Sequence, residues 1–128
     1  MILLVRGNYE MNIIDKKLES LSKSKFRSSF KLSDKDKKYI NDKGIDKIRE
    51  HAYDFINKRI VLYNIDNDGK QTPMRGHPVF VAQHATGTCC RGCIFKWHGI
   101  EKDKELSKIE IDYVVDIIMR WISIEFDK

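Results

Sequence analysis

The sequence predicts a mainly α-helical fold, a small single-domain bundle of about five helices, on three observations. Apolar residues recur every three or four positions in two long stretches, Ile45 to Ile56 and Ile111 to Phe126. Ser33 and Ser107 stand where helices would begin, while Gly44, Gly87 and Gly99 stand where helices would end. The one β-favouring run, Val79-Phe80-Val81, has no visible partner strand elsewhere. A chain of 128 residues with 41% hydrophobic content is enough to bury one core.

Residues 1–14 open with the apolar patch MILLV and carry no helix start signal. They are expected to be an N-terminal extension, with Met11 as an alternative natural start and residues 15–128 forming the domain. Ile14, Leu18 and Leu21 then recur at helical spacing among Lys and Glu. The serine-rich SKSKFRSSF stretch breaks that period and reads as a loop, anchored by Phe26 and Phe30. The competing reading is a basic, aromatic-interleaved strip that stacks bases, with Lys25, Arg27 and Lys31 around the two rings. Ser33 caps a helix of about ten residues that ends at Gly44. A longer helix follows, reaching about Val61, with His51 beside its apolar stripe.

From Leu62 to Gly76 the periodicity disappears into a long loop containing Asn64, Asp66, Asn67, Asp68 and Gly69. A calcium loop is excluded, because no Glu stands at the twelfth position and no helix pattern follows. Pro78 to Ala85 reads as a helix with Pro at its first position and Gly87 at its end, a strand being the competing reading. Thr88 is the expected N-cap of a helix over CCRGCIFKWH that Gly99 ends. Ser107 and Glu110 form a capping box for the apolar C-terminal helix.

The net charge of +5 is unevenly placed: residues 15–59 hold 14 Lys and Arg against 8 Asp and Glu, and residues 60–128 hold 9 against 10. That basic first half favours an anionic partner such as nucleic acid, although mixed-sign helix faces often only solubilise. Neither an apolar run of about 18 residues nor a secretory leader pattern is present. A cytoplasmic protein with no membrane partner is therefore expected.

Chemistry concentrates in His77–Gly99, which contains all three cysteines and three of the four histidines. Three cysteines, two of them adjacent, suit metal ligation or thiol chemistry better than a disulfide framework. At the start of a helix, Cys89, Cys90 and Cys93 lie where unpaired amides and the dipole favour thiolates. Spacings of three and four residues bring Cys90 and Cys89 each toward Cys93. With His84 and His98 they form a candidate zinc ligand set, and His77 is a further donor. The alternative is an enzyme, a hydrolase or oxidoreductase using Cys90, Cys93, His84 and His77. A packing role for small cysteines at a tight helix junction is the third reading. Arg75, Arg91 and Lys96 are candidate anion-binding residues, and Trp97 a shield for the cluster.

The string GKQTPMRGHPVFVAQHATGTCCRGCIFKWHGI, with SKFRSSFKLSDKDKKYI before it and DYVVDIIMRWI after it, resembles the bacterial and phage proteins grouped as domain of unknown function 4186. The resemblance covers roughly Ser22 to Ile122. It implies a stand-alone bacterial or prophage-associated protein and carries no activity. The leading expectation is a Cys/His zinc-binding domain whose basic face contacts nucleic acid.

Overall fold

The structure is a computed structural model that describes residues 10–62 and 69–128, with side chains from residue 13 onward. The MILLV patch and the polar turn at 64–68 lie outside the described residues. The described residues form seven helices and no strand: α1 (Glu10–Ser22), α2 (Lys25–Ser28), α3 (Asp34–Lys43), α4 (Ile45–Arg59), α5 (Pro78–Thr86), α6 (Arg91–His98) and α7 (Lys108–Phe126). None is long and apolar enough to cross a membrane.

Helix α7 is the axis of the bundle, with α4, α5 and α1 packed against it. Its capping box is complete: Ser107 Oγ accepts from the Glu110 amide at 3.2 Å, and the Ser107 amide donates to Glu110 Oε1 at 2.8 Å. Val114, Val115, Ile118 and Ile122 from α7 meet Ile48, Ala52 and Ile56 from α4 and Val79 and Ala82 from α5 in the main core. Truncating any of the isoleucines to Ala would cost about 2–5 kcal/mol. A smaller apolar cluster joins Ile14 and Leu21 of α1 to Ile117, with Leu18, Trp97 and Tyr113 around it.

Helix α5 touches α1, α2, α3, α4 and α7. All nine of its residues are buried, so none of its faces is polar in the way a surface helix requires. This accounts for the strand-or-helix ambiguity of its sequence: complete burial removes the 3.6-residue signature. The expected Pro at its start is present, and the His77 ring serves as N-cap, Nδ1 accepting from the Val79 amide at 3.0 Å.

Three expectations are revised. Helix α1 begins at Glu10, so residues 10–14 are helical, and Ile14 is 1% exposed in the second core. The stretch read as a serine-rich loop contains α2, because Ser24 Oγ caps the Arg27 amide at 3.2 Å. Thr88 is not the cap of α6. Its hydroxyl turns inward to Thr86 Oγ1 at 3.0 Å, and Cys90 is the N-cap, with Sγ accepting from the Cys93 amide at 3.3 Å.

Gly44 and Gly87 are positions where only glycine serves. Gly44, at φ 88°, ends α3 and begins α4 with no intervening linker. Gly87 ends α5 at φ 70°, and a Cβ there would meet Trp97 Cδ1 at 2.8 Å. Gly87→Ala combines left-handed strain with displacement of a packed ring, and it should lower unfolding stability by about 2 kcal/mol or more. Urea titration checks this; an unchanged midpoint would show that the α5–α6 turn is not fixed by that contact.

Candidate metal centre

The turn between α5 and α6 brings the three sulfurs together. Sγ of Cys89, Cys90 and Cys93 all lie within 4.8 Å of one another, and all three cysteines are free. Three thiolates around one tetrahedral zinc at about 2.3 Å stand roughly 3.8 Å apart, so the arrangement is near that of a ligated ion. Cys89 and Cys90 are buried, and Cys93 is the most accessible.

A buried polar frame positions this turn. Thr72 Oγ1 donates to the Cys89 carbonyl at 2.8 Å, and Gln83 Nε2 donates to Thr72 Oγ1 at 3.3 Å and to the Thr88 carbonyl at 3.1 Å. The Gln83 carbonyl accepts from the Thr88 amide at 2.8 Å. The sulfurs are thus set by the 69–77 loop and α5 as well as by their own helix.

Arg27 completes the cluster, and the sequence reading did not connect it to the sulfurs. It is 8% exposed, with Nη2 3.1 Å from Cys93 Sγ, Nη1 3.6 Å from Cys89 Sγ and Nη1 2.7 Å from the His84 carbonyl. Hydrogen bonds from the Cys89 and Cys90 thiols hold the Cys93 thiol far below its ordinary pKa, and Arg27 adds to the effect. The same sharing pushes Cys89 up, its bonds to Cys90 and Cys93 acting first and burial next. These shifts run in the direction that favours the thiolate at Cys93, the sulfur 3.1 Å from the Arg27 guanidinium.

The histidines are placed differently from the expected ligand set. His98 has both ring nitrogens engaged, Nε2 with the Thr86 carbonyl at 2.8 Å and Nδ1 with Tyr113 Oη at 2.8 Å. A carbonyl accepts only, so Nε2 carries the proton and donates to it, while Nδ1 accepts from the Tyr113 hydroxyl. His84 likewise donates from Nε2 to the Thr72 and Pro73 carbonyls at 3.2 and 3.1 Å, while Phe30 stacks on its ring. Neither imidazole joins the group of three sulfurs. His77 is committed to its cap; with Nδ1 accepting, its Nε2–H donates to His51 Nδ1 at 3.0 Å.

The three expected anion-binding residues separate. Arg91 is 2% exposed, with its guanidinium directed at backbone carbonyls: Val61 at 2.9 Å, Leu62 at 3.1 Å, Glu101 at 2.8 Å and Lys104 at 2.8 Å. It fastens the chain after α4 to the chain before α7, a role its position beside two cysteines concealed. Lys96 is exposed on α6, and Arg75 is exposed in the loop before α5. Trp97 packs on Gly87 and in the second apolar cluster.

A family model for the domain of unknown function DUF4186 matches residues 15–123. The chain belongs to that family. The match takes in every residue of the sulfur cluster, Arg27 and the polar frame around them. No solved structure matches this DUF4186 chain.

Burial lowers the pKa of His77 and of His98 from 6.5 to about 4, with the neighbouring His51 ring adding to the effect at His77. The unfolded chain therefore binds protons that the folded chain refuses. The stability from these two groups is fully present above pH 6.5 and is lost as pH falls toward about 4. Two such groups give a slope of up to about 2.7 kcal/mol per pH unit in that window. Urea midpoints measured from pH 7 to pH 4 should fall accordingly, and His98→Phe should flatten the dependence by about half; a flat profile in the native chain would contradict the neutral, buried assignment.

Proposed function

We propose that this domain binds one zinc ion through Cys89, Cys90 and Cys93, and that its basic first half contacts nucleic acid. The convergence of three free sulfurs beside a buried arginine carries the metal reading. Soft thiolates select zinc among common divalent ions. Three thiolates and a divalent ion leave one negative charge, which Arg27 offsets from 3.1 Å without competing as a donor. Bound zinc would supply either a structural lock or Lewis acidity at a fourth position left to water. The nucleic-acid half rests on the excess of Lys and Arg over residues 15–59.

A thiol enzyme is the second reading, favoured by one observation. Cys93 is the most accessible of the three sulfurs and has a guanidinium at 3.1 Å, an arrangement that also suits a nucleophile.

Metal analysis of untagged protein distinguishes the two. The metal reading expects about one zinc per chain, lost on Cys93→Ser and on chelation with a fall in thermal stability. Metal-free protein whose Cys93 alone is alkylated rapidly at pH 6 would refute it in favour of thiol chemistry.

A further inference from the structure

A second site lies at the opposite end of α5. A cleft of about 680 Å³ opens between the α2–α3 segment, the first turns of α3 and the N-terminus of α5. That volume falls within the roughly 300–1,000 Å³ of small-ligand sites. Lys31, Lys35 and Arg75 line it, all exposed and none in an ion pair among the described residues. The lining contains one carboxylate, Asp36, and its Oδ2 is held by the Ser33 amide at 3.1 Å as part of the α3 capping box. Phe30, Tyr39 and Met74 supply apolar wall, with Met74 54% exposed at the rim.

We propose that this cleft receives a nucleotide unit of single-stranded nucleic acid, its phosphates on Lys31, Lys35 and Arg75 and its base against Phe30, Tyr39 and Met74. The inference rests on the nucleic-acid half of the function proposed above and gives it a location. A simple inorganic anion would satisfy the cations and leave the apolar wall wet. An apolar ligand would leave three cations uncompensated. A phosphate joined to a heteroaromatic ring answers both, with the guanidinium suited to paired phosphate oxygens and Met74 adaptable to ring shape. The base must be unpaired, because in a duplex its faces are covered by its neighbours. A strand fits better than a free mononucleotide, since the basic sequence continues on the N-terminal side of the cleft residues through Lys23 and Lys25.

The test is fluorescence anisotropy with labelled twelve-nucleotide oligo-dT and oligo-U, and with a labelled DNA duplex of the same length, across a salt series. Native protein should bind one or both, more weakly as salt rises. The triple change Lys31→Ala, Lys35→Ala, Arg75→Ala should lower the slope of log affinity against log salt by about 2, at about 0.7 per phosphate contact on a single strand. Tyr39→Ala, checked for folding by circular dichroism, should weaken binding about tenfold while leaving that slope unchanged. The matched change Lys102→Ala, Lys104→Ala, Lys108→Ala, outside the cleft, should leave binding near the native value. Equal weakening by the two triple variants, or binding confined to duplex, would overturn the cleft while the broader nucleic-acid reading stands. Absence of binding to single strand and duplex at low salt would overturn both.

Discussion

The Arg27 guanidinium is the interaction on which the candidate centre depends. It reaches from α2 to the His84 carbonyl at the end of α5 and to Cys93 in the first turn of α6, so one side chain ties three helices to one point. A buried guanidinium without a counter-charge would cost several kcal/mol, and a half-buried thiolate also gains from a cation at hydrogen-bond distance. Each makes the other tolerable. The neutral remainder of the frame, Thr72, Gln83 and Thr88, orients the backbone that presents the sulfurs but supplies no charge.

Much of the fold was legible in the sequence because its signals are local. Caps at Ser33 and Ser107, the glycine stops, and the stripes of α4 and α7 follow from residues within a turn of one another. The extra helix α2 and the extended start of α1 were not legible. A four-residue helix is too short to show a period, and residues 10–14 owe their order to Ile14 packing on the distant Ile117. The three cysteines were legible as a group for the same local reason, since their spacing alone brings them close. Arg27 lies 62 and 66 residues from its sulfur partners, and a basic residue in a serine-rich stretch gives no sign of burial. Arg91 misled in the reverse direction: its neighbourhood suggested chemistry, while its hydrogen bonds serve the backbone. The histidines were visible as residues, but their ring partners are carbonyls and a tyrosine that only folding brings near.

Helix α5 organises the two functional proposals. Its buried nine residues span about 13 Å at 1.5 Å per residue, with the His77 cap and the basic cleft at one end and the sulfur turn at the other. Phe30 belongs to both neighbourhoods, lining the cleft and stacking on His84 next to the Arg27 contact. A change that loosens α5 would therefore disturb both ends, whereas substitutions at the exposed lysines of the cleft leave the sulfur turn in place. The residues at both ends of α5 fall within the stretch that the DUF4186 model matches.

X-ray absorption at the zinc edge of protein loaded with one equivalent of zinc addresses the ligand set directly. Three thiolates and one light donor predict a first shell dominated by sulfur at about 2.3 Å, with a single nitrogen or oxygen contribution near 2.0 Å. A shell of mainly nitrogen or oxygen, with the outer-shell scattering of two imidazoles, would show instead that histidines hold the ion and that the sulfur cluster has another purpose.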